Sequence, residues 1–474
     1  MNDPSTRAAL GLAAIPAAVY LLLLTFRTVR YLRASPAQRR VLRTARRIKR
    51  TWRRTARRTA LAHREPVRTW EPGSPVRTLI PAIKVRRAAW GVVIEAHTIA
   101  RIGLKQFQDA AEHLADAWRV PAVRAEQAAP GIVRLRAMLT DPLTTPLTAP
   151  ATPQPFTLAE PGDTRDLGGQ DWRDLVPLHR SVRSWELGVD ADATPVTVAT
   201  SNVSGIVVAG LSGYGKTNLL DARFAALAGS PAVQIAVIDG KGGPDWDRHQ
   251  PRCFAFAKDN LDQAHAILTR LHALLTRRQH QISARLGATN LWDTNPSRPW
   301  PLVVLIIDEA HTFFHESKGS DPESRKRDQQ VREITRMVEE LIRKGRNVGI
   351  QTILATQKAT GDAIPTRIRD NCQVAISFAQ RTSEAATAIL GSDITDHPDA
   401  HPRRLQDPAY VGVATLVADG KPGYTLVRTP YAGPAEHMDR LARITAQYVL
   451  DPLALLDPEE SANNAPIVAG RAAA

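Results

Sequence analysis

Gly210-Leu211-Ser212-Gly213-Tyr214-Gly215-Lys216-Thr217 reads GLSGYGKT. It follows the apolar run Gly205-Ile206-Val207-Val208-Ala209 and leads into the helix-favouring stretch Asn218-Leu219-Leu220-Asp221-Ala222. The pattern G-x-x-x-x-G-K-[ST] is complete, and its strand–loop–helix setting is the one a phosphate-binding loop requires. Glycines let such a loop turn its backbone N–H groups inward onto phosphate oxygens. The pattern therefore predicts a nucleotide site from Gly210 through Asn218. Lys216 reaches the β/γ oxygens, and Thr217 is a magnesium ligand. Leu211, Ser212 and Tyr214 fall at variable positions of the loop, and no individual role follows for them. The implied cofactors are ATP and Mg2+.

Further apolar runs follow, at 234–238, 302–307, 349–355 and 373–378, separated by helical stretches. Runs apolar on both faces belong to buried parallel strands. The predicted fold is thus α/β, a parallel sheet flanked by helices. The run at 302–307 ends in Asp308-Glu309. Asp308 is placed for the magnesium shell and Glu309 to polarise the attacking water. Gln357 stands at the end of the strand-like run ILATQ and is a candidate γ-phosphate sensor. In IRKGRNVG, one of Arg343, Lys344 and Arg346 is a candidate arginine finger for a neighbouring subunit, with Arg346 the choice among them. A basic helix end favoured by the helix dipole explains any one of them as well.

The chain has 474 residues and a formal charge of +15. Fifteen Lys/Arg and no Asp or Glu lie between Arg27 and Arg64, so the remainder is close to neutral. Ala8 to Phe26 carries no charge over 19 residues, enough for a helix of roughly 28 Å, close to a bilayer core. It predicts a single retained span, with the cations and everything after them on the cytoplasmic side of the cell membrane. Within the basic block, Val41, Ala45, Ile48, Trp52 and Ala56 fall on one helical stripe. Such a helix suits anionic lipid, with Trp52 and Ile48 dipped in, ahead of DNA phosphates as its partner. The two cysteines, Cys253 and Cys372, show no metal-ligand or disulfide pattern.

These features predict residues 1–26 as transmembrane anchor and 27–65 as basic juxtamembrane amphipathic helix. Residues 66–140 follow as a helical membrane-proximal segment, on the spacing of Leu104, Phe107, Ala111, Leu114 and Trp118. A Pro/Thr-rich linker at 141–168 leads to the motor at 169–435, with a C-terminal helix and flexible tail at 436–474.

With those residues in view, the motor resembles the FtsK/SpoIIIE family of DNA translocases. The resemblance runs from about Val182 to Ala432 and rests on block order: WELGVDADATPVTVA, IVVAGLSGYGKTNLL, AVIDGKGG, VVLIIDEAH, IRKGRNVGIQTILATQKA and IPTRIRDNCQVAISF. Gly240 departs from the aspartate-proline-lysine found in many members, and Asp239 and Lys241 match it. That departure, and the Arg/Ala-rich composition, resemble members encoded on actinobacterial mobile elements. The family implies a RecA-like ATPase assembled as a homo-hexamer around double-stranded DNA. It places a pore loop at Lys358 to Asn371, with Lys358, Arg367 and Arg369 as DNA-contact candidates. After Ala432 there is no room for the sequence-reading module of chromosomal members, and only one apolar span precedes the motor. Both features suit conjugative transfer of a plasmid or integrative element over a chromosome-segregation pump. A type VII-like secretion ATPase acting on proteins is the alternative within the same motor class. A membrane adaptor with a degenerate nucleotide site is the non-enzymatic alternative, and complete Lys216, Thr217, Asp308 and Glu309 speak against it.

Overall fold

Every residue of Val233–Asp239 (β10), Leu302–Asp308 (β12) and Ile350–Thr356 (β13) is buried. Gly205–Ala209 (β9) is buried throughout as well. These strands form the centre of one sheet in the computed structural model, which describes residues 33–67, 75–88, 90–147, 182–357 and 363–456. Cys253–Lys258 (β11) and Val374–Ser377 (β14) complete a parallel set in the order β11-β10-β12-β13-β9-β14. Four further strands continue the sheet to ten: Val413–Ala418 (β15), Lys421–Arg428 (β16), Ser184–Val189 (β7) and Pro195–Ala199 (β8). All pairings from β14·β15 outward are antiparallel.

The double burial has a simple origin. Side chains alternate across a strand, and here both sets are apolar. Val303, Leu305 and Ile307 enter one core, and Leu302, Val304 and Ile306 enter the other. Helices Leu261–Leu286 and Pro322–Lys344 cover the first face, and Lys216–Ala228 and Ala435–Thr445 the second. Local signals set the long helices. Asn260 caps the first by accepting from the Gln263 N–H, and Gly287, in left-handed conformation, ends it. Asp321 caps the next, followed by Pro322, with Arg343 and Lys344 in its last turn.

Buried arginines stitch strand starts and helix ends together without carboxylates. Arg252 donates to the carbonyls of Ala228, Ser230 and Val233. Arg278 donates to those of Val348, Gly349 and Pro301. Burial lowers the two guanidiniums to about 10 and about 9, respectively.

Division of the chain into units gives Met1–Pro142 and Leu143–Ala474, which moves two expected boundaries. The start of the linker belongs to the motor. Leu143 is fully buried with Ala379, Leu405 and Val413, and its carbonyl accepts from Arg428 at 3.1 Å. The far end of the motor reaches Leu456, beyond 435. Gln234 donates to the Tyr448 carbonyl at 2.8 Å and accepts from the Leu450 N–H at 2.9 Å. Arg270 pairs with Asp451, and Leu456 is buried in the core.

In the first unit, the segment expected to be helical from 66 to 140 is largely sheet. Ile83–Ala88 (β3), Gly91–His97 (β4), Ala122–Ala129 (β5) and Ile132–Met138 (β6) pair antiparallel in the order β3-β4-β6-β5. The cause is legible in β4: Val92, Ile94 and Ala96 are fully buried while Val93 and Glu95 are half-buried. That is a two-residue period in a β-branched run. Helix survives at Leu104–Asp109 and Ala111–Trp118, where Phe107, Leu114 and Trp118 are fully buried. Strands His63–Pro66 (β1) and Val76–Leu79 (β2) form a separate antiparallel pair.

Helix Pro36–Arg58 packs on this sheet. Val41, Ala45, Ile48, Trp52 and Ala56 are buried in the unit's own core, and Trp52 Nε1 donates to the Pro81 carbonyl at 2.7 Å. This corrects the expectation that Trp52 and Ile48 dip into lipid: protein already covers that stripe. The expected anchor at 1–26 lies outside the described residues, and no described helix is long and apolar enough to cross a membrane. Trp52→Ala is expected to destabilise the chain by about 3–5 kcal/mol, and Arg50→Ala by no more than about 0.5 kcal/mol. Denaturant unfolding followed by tryptophan fluorescence and circular dichroism checks this, and equal midpoints for the two variants would contradict the packing.

Candidate functional site

The phosphate loop joins β9 to helix Lys216–Ala228 at the carboxyl edge of the sheet, where open α/β sheets bind ligands. Gly210, Gly213 and Gly215 all have positive φ, at 152°, 81° and 112°. A Cβ at Gly210 would meet Phe378 Cβ at 2.6 Å, so Phe378 sets the floor beneath the loop. Lys216 is buried and donates to the Gly210 carbonyl at 2.9 Å, folded across its own loop. Burial lowers its pKa, and the carboxylates of Glu309 and Asp308 oppose that shift.

Strand register brings the acids to the loop. β10 and β12 run parallel with Asp239 opposite Asp308. β13 lies between β12 and β9, so Gln357 emerges between the phosphate loop and the acidic pair. The Gln357 N–H donates to Glu309 Oε2 at 2.9 Å. Glu309 has a positive φ of 49°, a strained conformation for a non-glycine residue. Burial raises its pKa, partly offset by the Gln357 N–H and Lys216. Asp308 accepts from Trp246 Nε1 at 2.8 Å and from the Glu309 N–H at 2.9 Å.

The resulting cleft of about 250 Å³ is lined by Leu211, Ser212, Gly213, Gly215, Lys216, Thr217 and Asn218, with Lys241, Asp308, Glu309 and Gln357 across from them. Tyr214 is not among these residues. Its hydroxyl donates to the Gln406 carbonyl at 2.7 Å, and its carbonyl accepts from the Gly412 N–H at 3.1 Å. Tyr214 thus anchors the outside of the loop. Asn218 keeps a place at the cleft, yet its side chain grips the chain after β16, donating to the Pro430 carbonyl and accepting from the Ala432 N–H.

Donor chemistry fits a hydrated magnesium ion bound with a nucleotide. Asp308 and Thr217 face the cleft, and the buried Asp239 Oδ2 beside Asp308 has no hydrogen-bond partner among the described residues. Magnesium is held by one or two protein oxygens, phosphates and water. The site has the parts of a phosphate-loop ATPase.

No family model matches the chain. A sporulation regulatory protein of Streptomyces azureus is 28% identical over 200 residues, which span 42% of this chain and 62% of that protein's length. Among solved structures, the pCW3 conjugation coupling protein TcpA with ATPγS superposes with a TM-score of 0.48 at 16% identity, over 77% of this chain and 94% of that one. The cytoplasmic domain of the Thermomonospora curvata type VII secretion ATPase EccC gives a TM-score of 0.43 at 21% identity, over 58% and 32%. The chain is similar to these proteins.

Other expected site residues are spread further. Arg346 is exposed and precedes β13, whose seven residues put it more than about 20 Å from Gln357. It is outside the chain's own cleft. Arg367 is exposed and pairs with Glu339 at 2.9 Å, and Arg369 lies 3.5 Å from Thr366 Oγ1. Both sit on the short helix Thr366–Arg369. Lys358 lies outside the described residues.

Three residues at the site carried no role in the sequence: Asp239, Lys241 and Trp246. The segment IDGKGGPDW held all three, and Asp239 and Lys241 were noted only as matches to a family block. Gly240 now has a reason. Its N–H donates to the Asp308 carbonyl at 2.9 Å, which proline cannot do, and a Cβ there would meet the Glu309 carbonyl oxygen at 2.8 Å. Trp246 is a positioning residue: it holds Asp308 and packs at a tilt against His249, which reaches Asp221 of the phosphate-loop helix at 2.7 Å. Trp246→Phe keeps an aromatic ring and loses the donor together with part of the buried volume. We expect the magnesium concentration for half-maximal hydrolysis to rise about 10–100-fold, beyond a modest fall in the thermal unfolding temperature from the lost buried volume, while ATP binding without magnesium is retained. An unchanged magnesium dependence would show that Asp308 needs no such support.

Proposed function

We propose that this chain is an ATPase of the FtsK/SpoIIIE kind, anchored in the cell membrane, that drives double-stranded DNA during conjugative transfer. The convergence of Lys216, Thr217, Asp308, Glu309 and Gln357 at one strand edge supports the hydrolytic part. The order of the motif blocks from Val182 to Ala432 supports DNA as the cargo, and the apolar run at 8–26 supports the anchor.

The chemistry divides among the residues. Backbone N–H groups of the loop and Lys216 hold the β- and γ-phosphates. Thr217 and Asp308 would hold a magnesium ion, which would neutralise developing phosphate charge when bound. Glu309, held by the Gln357 N–H, orients and deprotonates the attacking water. Gln357 is joined to Glu309 through its own backbone, so displacement of β13 moves the base. That is a direct link between the γ-phosphate and the strand leading toward the pore-loop segment 358–371.

A ring completes the site. Arg343 pairs with Glu339 at 4.0 Å and Lys344 with Glu340 at 2.8 Å, whereas Arg346 has no carboxylate partner among the described residues. Arg346 is therefore the cation available to a neighbouring subunit. Chains carrying Lys216→Ala or Arg346→Ala are each expected to be inactive alone. Mixed, they form some interfaces with an intact loop from one chain and an intact finger from another, so part of the activity returns. If mixing recovers no activity, the finger is not supplied in trans by Arg346.

Hydrolysis by the full chain should rise several-fold with duplex DNA and lose that rise steeply with added salt. Glu309→Gln should lower turnover by about 10²–10⁴-fold with ATP binding, read by calorimetry, retained. Hydrolysis indifferent to duplex would remove DNA as the cargo and leave a protein substrate, as in secretion ATPases.

A further inference from the structure

We infer that helix Pro36–Arg58 is a duplex-DNA contact outside the motor, seated by its exposed arginines in the major groove. The helix divides into two arcs, with the half-buried Leu42 the one large apolar side chain on the basic side. Its apolar arc is consumed by the core of the first unit, and no large apolar side chain of this helix is exposed. Its other arc carries Arg43, Arg46, Arg50, Arg53 and Arg57, all exposed, at i, i+3, i+7, i+10 and i+14. This stripe is about 21 Å long. Lys49 on one flank and Arg54 and Arg58 on the other, also exposed, widen it to about half the helix circumference. None of these eight cations has a carboxylate partner among the described residues, and the helix itself contains no acid.

Two polyanions offer phosphate to such a surface, and its shape chooses between them. A helix that binds a bilayer inserts several apolar side chains between headgroups, and this one has only the half-buried Leu42 outside its core. A flat membrane meets a convex cylinder along one line, so the flanking cations would face away from it. The major groove, about 12 Å wide, takes a helix between two phosphate walls and meets both flanks and the crest. Arginine, with its planar fork, is the cation suited to paired phosphate oxygens, and seven of the eight are arginine.

This contact is independent of the cargo assigned to the motor: duplex can bind here whether or not it accelerates hydrolysis, and the reverse. The test is anisotropy of a labelled short duplex with the detergent-solubilised full chain, without nucleotide, across salt. The variant changes Arg43, Arg46, Arg50, Arg53 and Arg57 to Gln. All five are exposed, so the fold and basal hydrolysis should persist. Log affinity against log salt should lose slope, by up to about 4–5 units, at about 0.9 for each arginine that reaches a phosphate. The same five positions changed to Lys should restore the slope, and Lys216→Ala should leave duplex affinity untouched. If the Gln variant keeps both slope and affinity, the inference is overturned. It is equally overturned if the substitutions spare duplex binding and instead abolish preference for nanodiscs with anionic phosphatidylglycerol over neutral ones, because the partner is then a membrane surface.

Discussion

One hydrogen bond organises the site: the Gln357 N–H to the Glu309 carboxylate, 2.9 Å long. It exists because β13 lies between the strand that ends in the phosphate loop and the strand that ends in Asp308-Glu309. Parallel register puts all three strand ends at one level. The proposed base is thus tied to the proposed γ-phosphate sensor, and any shift of β13 along the sheet reaches Glu309 directly. Glu309 bears a positive φ and a pKa raised by burial, so the strand edge holds its reactive carboxyl under constraint.

Support behind that edge is laid down in layers. Trp246 fixes Asp308, and the Asp239 carboxylate lies beside it with one oxygen that has no hydrogen-bond partner among the described residues. Phe378 underlies the loop, while Tyr214 and Asn218 fasten its outside to the segments around Gln406 and Pro430. Arg252 and Arg278 hold helix ends and strand starts through carbonyls alone. Such a frame holds the catalytic groups in place before substrate arrives, which is where electrostatic catalysis draws its strength.

Much of this was legible in the sequence because it is local. A phosphate loop needs its glycines and Lys216 within eight residues, and a doubly buried strand needs an apolar run, as 302–307 shows. What was hidden is non-local. Trp246 reaches Asp308 across 62 residues, and Tyr214 reaches Gln406 across 192. The first unit was misread where two periods compete. Residues 104–118 do follow a helical repeat, and taking it as the pattern of all of 66–140 overrode the alternation of Val92, Ile94 and Ala96 that makes β4. The stripe on Pro36–Arg58 was seen correctly as apolar, but a sequence cannot tell a stripe that meets lipid from one that meets its own sheet.

In the proposed function, hydrolysis at Glu309 moves double-stranded DNA past the protein. Displacement of a third strand from a triplex-bearing duplex measures this movement directly. The account predicts ATP-dependent displacement by the full chain, lost in Glu309→Gln although that variant still binds ATP. Vigorous hydrolysis in the presence of duplex with no third strand released would contradict it.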